Sequence, residues 1–147
     1  MSITIQICKI SSVYDNIVDI YRSVYSKHSN YPPDFRKNDN TPDVLIALMN
    51  NKILGFVILE KTWSGARHIS DICVLPSHQS AGVGTLLMNR LIQEVGSKKT
   101  LTLRAIPPSQ LPIDTLKLLS FYKRFEFTSE HIPREDTYFI DLIRMQK

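Results

Sequence analysis

Residues 69–95 read ISDICVLPSHQSAGVGTLLMNRLIQEV, a strand pattern, a glycine-containing turn and a helix pattern in succession. The first part is apolar and stops at Pro76, and Gly96 follows the last part as a typical helix stop. The apolar residues after the turn recur at helical spacing: Val83, Leu86, Leu87, Leu91 and Val95. Glycines at 82 and 84 let a ligand approach the backbone, and the amides of a helix N-terminus bind anions. The stretch therefore predicts a strand–turn–helix unit, whose turn is either an ordinary connection or an anion site.

Apolar periodicity outside this stretch predicts the other elements. Residues 3–8, 68–75 and 100–106 have strand patterns, and residues 44–60 form a hairpin about Asn50-Asn51, because asparagine tolerates positive φ. Three segments have helical spacing: residues 11–26, 82–95 and 114–125. Residues 26–43 are polar and broken by proline, so they are predicted to form a long loop or a short irregular helix. A last hairpin is predicted from residues 126–132 and 137–143. The order predicts a mixed α/β fold in a single domain, residues 1–147.

Composition and charge exclude several classes of function. The net charge is +4, but the basic residues are scattered, so nucleic acid is not an expected partner. No run approaches the roughly 20 apolar residues of a membrane span, and MSITIQICKI lacks the pattern of a signal peptide. Two cysteines are too few for a disulfide framework, so we expect a cytoplasmic protein with reduced thiols. No metal site is expected, because these residues form no paired ligand motif: His28, His68, His78, His131, Cys8 and Cys73.

Two phosphate-binding motifs fail at the glycine turn. A P-loop needs Gly-Lys-Ser/Thr, whereas Gly84 is followed directly by Thr85. A dinucleotide fingerprint needs a third glycine where Leu87 stands, and an acid in a region, residues 100–112, that has none. The segment 79–84, QSAGVG, resembles instead the Gln/Arg-x-x-Gly-x-Gly/Ala signature of the GCN5-related N-acetyltransferase (GNAT) family.

Further segments share this resemblance. ISDICVLPSHQ, residues 69–79, is similar to the family's fourth strand and the turn after it. FYKRFEF, residues 121–127, resembles the aromatic segment that ends the family's fourth helix. The order of the predicted elements also matches that of the family.

The resemblance implies both a fold and an activity. The fold is a mixed, mostly antiparallel sheet flanked by about four helices, with splayed central strands that bind acetyl-CoA. The activity is transfer of the acetyl group to a primary amine, carried by a small molecule or a peptide, by direct attack in a ternary complex. A homodimer is compatible with the family, since many members are dimers. The alternative is a non-catalytic module that holds acyl-CoA as a sensor.

Tyr122 matches the family's general-acid tyrosine, although it also suits the core face of a helix. His68 and Asp71 are the candidate bases, and a structural strand histidine is the alternative for His68. Strand alternation predicts that His68, Ser70, Ile72 and Val74 share one face, and that Ile69, Asp71 and Cys73 share the other. Asp71 therefore needs a strand irregularity or a water relay to act as the base.

The resemblance also implies cofactor and substrate contacts. The residues predicted to bind acetyl-CoA are Ile72, Cys73, Val74, Gln79, Ser80, Ala81, Gly82, Val83, Gly84, Thr85, Thr115 and Tyr122. At Thr115 the family often has asparagine, so a hydroxyl replaces an amide in the expected pantetheine contact. Lys123 and Arg124 either reach the nucleotide phosphates or are solvated charges. Tyr31 and Phe35 are predicted to form an aromatic wall for the amine, and three nearby acids are predicted to attract it: Asp34, Glu135 and Asp136. The alternative is that all five are ordinary loop residues.

Overall fold

The part of the chain that the structure describes forms a six-stranded sheet with helices on both faces. The computed structural model describes residues 2–25, 43–61, 65–79, 81–96, 99–105, 115–128 and 140–144. The strands are β1 (Thr4–Lys9), β2 (Asp43–Met49), β3 (Lys52–Lys61), β4 (Arg67–Val74), β5 (Leu101–Ala105) and β6 (Ile140–Arg144). The α-helices are α1 (Ile10–Tyr25), α2 (Val83–Val95) and α3 (Thr115–Lys123). Apart from the end of α3 and the last hairpin, these bounds match the predicted elements closely. The predicted loop, apart from Asp43, and residues 129–139 of the last hairpin lie outside the described residues.

The strands follow one another across the sheet in the order β1-β2-β3-β4-β5-β6. Every neighbouring pair is antiparallel except β4 and β5, which are parallel and joined through α2. This arrangement confirms the predicted mixed, mostly antiparallel α/β fold. Within the described ranges, no helix is both long and apolar enough to cross a membrane.

The β2–β3 hairpin turns at the predicted pair of asparagines. Asn50 has φ 53° and Asn51 has φ 65°. Two successive residues in the left-handed region make the tight turn whose twist matches that of the flanking strands. Asparagine adopts this region more readily than most residues, so the turn is a local property of the sequence.

The core has one hydrophobic cluster on each face of the sheet. The α1-face cluster joins Ile10, Ile17, Val18 and Ile20 of α1 to sheet residues that include Ile58 and Cys73. The α2-face cluster joins α2 and α3 to the other face, and its members include Leu59, Ile69, Leu87, Leu91 and Tyr122. The sheet is thus covered on both faces, and α3 lies on the same face as α2.

A β-bulge in β4 changes which side chains share a face. Asp71 lies opposite Ile58 and Ile69 lies opposite Leu59, so Ser70 is an extra residue between two consecutive partners. Ile69 accordingly belongs to the α2-face cluster with Ile72 and Val74 packed against it, whereas Cys73 belongs to the α1-face cluster. The regular alternation predicted for β4 is therefore wrong. His68, Asp71 and Cys73 share the α1 face, since a bulge shifts the two-residue alternation by one.

The helix α3 ends two residues earlier than predicted, in a tight turn. The amides of Phe125 and Glu126 donate to the carbonyls of Tyr122 and Lys123, and Glu126 has φ 69°. Of the strand predicted for residues 126–132, the described part forms one bridge, between Thr128 and Ile143. The predicted strand does not begin at residue 126, because Glu126 still belongs to the turn that ends the helix and its backbone is not extended.

Arg144 connects β6 to this turn. Its Nε donates to the carbonyl of Phe125 at 3.1 Å, and its Nη2 lies 3.4 Å from a carboxylate oxygen of Glu126. A cation next to the last carbonyls of a helix is favourable, because they carry a partial negative charge. This buried arginine positions the end of α3, and with it Tyr122, against the sheet.

Candidate functional site

The site is a gap between two neighbouring strands. Among the described residues, β4 pairs with β5 at three positions only, of which the last is Ile69 with Leu103. Beyond it β4 continues to Val74, whereas β5 continues to Ala105 without pairing to β4. The two strands therefore diverge, and the end of β4 presents one backbone edge to the gap.

The hydrogen-bond pattern shows which backbone groups face this gap. The amide of Leu75 donates to the carbonyl of Leu54 at 2.8 Å, so Leu75 points toward β3. In an antiparallel pair, successive residues point alternately toward and away from the partner strand. Val74 and Ile72 therefore direct their N–H and C=O groups into the gap. The side-chain amide of Gln79 donates to the carbonyl of Val74 at 3.2 Å.

The helix α2 begins just beyond the end of β4. Pro76–His78 form a short 3-10 turn, and Gly82 adopts φ 80° at the N-cap of α2. The first intrahelical bond across this end runs from the amide of Leu86 to the carbonyl of Gly82 at 3.1 Å. The amides of the residues between Gly82 and Leu86 belong to the first turn of the helix, so they have no carbonyl acceptor inside it. The backbone amides from Gly82 to Thr85 thus form a group of N–H donors at the positive end of α2, which we call the donor array.

Space next to the two glycines differs. A methyl group at Gly82 would meet no heavy atom within 4 Å, so the backbone there is open on that side. A methyl group at Gly84 would lie 3.4 Å from the ring of Phe121 and 4.0 Å from Val74, which are ordinary contacts. Nothing in the described protein thus demands glycine at position 84. A ligand held against the first turn of α2 would supply such a demand.

Tyr122 lies in the α2-face cluster, and its side chain is 5% exposed. Its ring contacts Phe121 and Phe127 edge-on, with centroids 5.2 and 6.0 Å away. Burial raises the pKa of Tyr122 well above its ordinary value, and the charge of the Cys73 thiolate raises it further. The phenol is therefore a neutral hydroxyl near neutral pH, close to the part of β4 that faces the gap.

His68 lies where β4 and β5 are still paired. Its Nδ1 is 2.7 Å from the hydroxyl of Thr102, its partner on β5. This contact bridges the two strands one residue before the last pair. His68 therefore lies at the narrow end of the gap, where it links β4 to β5.

The other predicted residues fall into three groups. Ala81, Val83 and Thr85 belong to the donor array or the residues next to it, and Val83 is buried. Thr115 is the first residue of α3, and Lys123 and Arg124 are exposed at its end. The remaining residues lie outside the described part, so their contacts stay predictions: Ser80, Tyr31, Phe35, Asp34, Glu135 and Asp136.

Two residues of the site were not predicted as such. Phe121 of α3 lies beside the first turn of α2, since a methyl group added at Gly84 would lie 3.4 Å from its ring. Tyr21 packs from α1 on the cluster that contains Cys73. The only sequence signal was an aromatic residue on an amphipathic helix, which is normally a core residue. Within the described ranges, no group of three His, Cys, Asp or Glu side chains is arranged to bind a metal.

Comparisons with known proteins agree with this geometry. The model of the acetyltransferase (GNAT) family matches residues 10–127. No curated protein matches the sequence.

Many solved structures share the fold. A Corynebacterium glutamicum structure described as histone acetyltransferase HPA2 and related acetyltransferase has a TM-score of 0.76 and 15% identity, over 100% of this chain and 98% of that chain. The ribosomal-protein-S18-alanine N-acetyltransferase of Escherichia coli has a TM-score of 0.70 and 17% identity, over 97% of this chain and 91% of that chain. The putative streptothricin acetyltransferase of Bacillus anthracis, in complex with acetyl coenzyme A, has a TM-score of 0.66 and 20% identity, over 99% of both chains.

Proposed function

Because the chain belongs to the GNAT acetyltransferase family, we propose that it is an acetyl-CoA-dependent N-acetyltransferase. It moves the acetyl group to a primary amine by direct attack within a ternary complex. The observation that carries this proposal is the gap between β4 and β5, with the donor array of α2 at its open end.

The donor array and the edge of β4 suit acetyl-CoA. The amides from Gly82 to Thr85 would hold the pyrophosphate, since a helix N-terminus favours a negative charge. The groups of Ile72 and Val74 that face the gap would bind the pantetheine amides as an added strand does. A solved structure of the same fold contains acetyl coenzyme A, which supports this choice.

Bound acetyl-CoA supplies an activated thioester, and the protein supplies the proton transfers. An alkyl amine has a pKa of about 10.4, so it must lose a proton before it attacks. His68 and Asp71, on the α1 face of β4, are the candidates for this step. When the C–S bond breaks, Tyr122 would donate a proton to the leaving thiolate, and the proton that the attacking nitrogen gives up would restore the phenol. A tyrosine phenol is protonated near neutral pH, so Tyr122 can serve as this donor.

A binding assay and a turnover assay test the proposal together. Acetyl-CoA should raise the melting temperature, because a ligand that binds only the native state stabilises it. Release of CoA thiol in the presence of a panel of primary amines should then show turnover. Binding without release from any amine would contradict the enzyme and favour the acyl-CoA sensor.

The Tyr122→Phe variant tests the general acid. Loss of a positioned proton donor typically lowers turnover by about 10²–10⁴-fold, while the affinity for acetyl-CoA should stay near that of the wild type. Tyr14→Phe, on α1, is the matched control, since it removes a hydroxyl that has no proposed function. Unchanged turnover in Tyr122→Phe would reject the assignment.

A further inference from the structure

Arg144 is a buried cation on the α2 face of β6. Its partner on β5 is Leu101, which belongs to the α2-face cluster, as does Leu142 two residues earlier on β6. Only 8% of Arg144 is exposed, and its Nη1 is buried without a hydrogen-bond partner among the described residues. An apolar side chain of similar size often serves such a position at least as well, because a buried charge loses its hydration. Packing alone therefore does not account for an arginine here.

The contacts of Arg144 lie at the end of α3. Its Nε donates to the carbonyl of Phe125 at 3.1 Å, and its Nη2 lies 3.4 Å from a carboxylate oxygen of Glu126. A guanidinium presents these two nitrogens in one rigid plane, whereas the ammonium group of lysine is a single nitrogen on a flexible stem. Arg144 thus binds two successive residues of the turn at once and fixes this turn relative to β6.

The same turn holds the backbone of Tyr122. The amide of Phe125 donates to the carbonyl of Tyr122 at 3.0 Å, and the amide of Phe127 donates to the same carbonyl at 3.3 Å. The ring of Phe127 also contacts the ring of Tyr122 edge-on. Arg144 is therefore connected to Tyr122 by two hydrogen bonds in series, through the single residue Phe125.

The short length of α3 makes its orientation depend on such contacts. The helix has nine residues, Thr115–Lys123, and an isolated helix shorter than about 12–15 residues is marginal in water. Its position is therefore determined by what packs against it. A proton donor must come within hydrogen-bond distance of its acceptor, and a displacement of about 1 Å can cost about 100-fold in rate. A small shift at the end of α3 should thus matter more to proton transfer than to folding.

We infer that Arg144 is a positioning residue for the transfer of the phenol proton of Tyr122 to the sulfur that leaves when the C–S bond breaks. It acts through the turn that fixes Tyr122 and not on the substrate itself. This inference rests on the proposed function and adds a residue to the same reaction. Because one guanidinium binds two groups of the turn, lysine should not replace it.

Hydrogen exchange measured by NMR tests the structural part of this inference without any turnover. In Arg144→Lys and Arg144→Met, the amides of Phe125 and Phe127 should exchange about tenfold faster or more, because the turn loses a hydrogen bond from a charged donor. The amide of Leu91, buried in α2, reports global unfolding, and its exchange should change much less. Arg144→Met should fold even if Arg144→Lys does not, since methionine leaves no buried charge in the cluster.

The kinetics of CoA release test the catalytic part, with the primary amine that gives the fastest release. Both variants should lower kcat by about tenfold to 100-fold, while the KM for acetyl-CoA stays within about threefold of the wild type. Combined with Tyr122→Phe, the same change at Arg144 should lower kcat by less than about twofold, because no phenol proton is left to position. A general loss of structure would instead lower kcat by the same factor with and without the Tyr122 hydroxyl.

Arg90→Lys, at a partly exposed arginine of α2, is the matched control and should change neither exchange nor kcat. Three results would each overturn the inference: wild-type exchange at Phe125 and Phe127 in both Arg144 variants, wild-type kcat in both, or an equal loss of kcat with and without the Tyr122 hydroxyl. Failure of the wild type to release CoA from acetyl-CoA with any amine would contradict the proposed function, and the inference with it. Faster exchange would then show only that Arg144 holds the turn.

Discussion

At the scale of single residues, the glycines near α2 serve different purposes. Gly82 has φ 80°, a conformation that costs a residue with a side chain roughly 1–2 kcal/mol. Gly84 has no such requirement, and a methyl group there makes ordinary contacts. A substitution at position 84 should therefore affect ligand binding without disturbing the fold.

The Gly84→Ala variant should lose cofactor binding without losing stability. Alanine within a helix is favoured over glycine by about 0.5–1 kcal/mol, so the free energy of unfolding should be unchanged or higher. The affinity for acetyl-CoA should fall by about tenfold, since a methyl group would occupy the space next to the pyrophosphate. Urea unfolding and calorimetry measure the two quantities.

Asn89→Ala, at an exposed position of the same helix, is the control for this variant. It should change neither the acetyl-CoA affinity nor the stability by much. Wild-type affinity in Gly84→Ala would mean that the phosphates do not bind against this turn.

At the scale of the elements, the close approach of β3 to β4 determines where the edge of β4 lies. A methyl group at Gly55 would lie 2.7 Å from the carbonyl oxygen of Cys73 and 3.2 Å from the Cα of Val74. Both atoms belong to the backbone, so the strand itself would have to move. Val74 is one of the two residues whose backbone groups face the gap.

The Gly55→Ala variant should therefore lower both stability and cofactor affinity. Overpacking of this kind costs about 1–3 kcal/mol in the free energy of unfolding. Movement of β4 should weaken acetyl-CoA binding by about tenfold, because the backbone donors and acceptors are displaced by a fraction of an ångström. Urea unfolding and calorimetry again provide the measurements.

Ile17→Val, in the α1-face cluster, is a control for instability alone. It should cost about 0.5–1.5 kcal/mol and leave the affinity for acetyl-CoA unchanged. If Gly55→Ala bound acetyl-CoA as the wild type does, the edge of β4 would not be part of the cofactor site.

At the scale of the whole molecule, one thiol and two phenols that are partly or fully buried make the free energy of unfolding decrease at alkaline pH. Burial raises the pKa of Cys8 above its ordinary value of 9.0, and the pKa values of Tyr21 and Tyr122 lie above 10.0. For each group the folded state keeps its proton at a pH where the unfolded state has lost it. Their contribution is complete below the unfolded pKa and decreases as the pH rises above it.

The free energy of unfolding should therefore fall from about pH 9 upward, most steeply above pH 10. Urea unfolding at pH 8, 9.5 and 10.5 measures this fall. Tyr122→Phe removes the most buried of the three groups, so its stability should decrease less over the same interval. An equal decrease in the variant and the wild type would show that Tyr122 does not carry the effect.

Much of the fold and part of the site could be predicted from the sequence, because the signals are local. The hairpin at Asn50-Asn51 depends on two residues that tolerate positive φ. The start of α2 depends on Gly82 and on the apolar spacing that follows it. Each such feature involves residues within a few positions of one another, which the sequence lists in order.

The tertiary structure alone decided which side chains meet. The bulge at Ser70 moves Asp71 to the face of His68, since a shift of one residue reverses every side chain that follows. Tyr21 shares the α1-face cluster with Cys73, and Arg144 binds the carbonyl of Phe125. These partners are distant in the chain, and only the register and the packing of the sheet bring them together. The sequence by itself therefore determined the elements and the family resemblance, whereas the folded chain determined which face of β4 holds the candidate bases, His68 and Asp71.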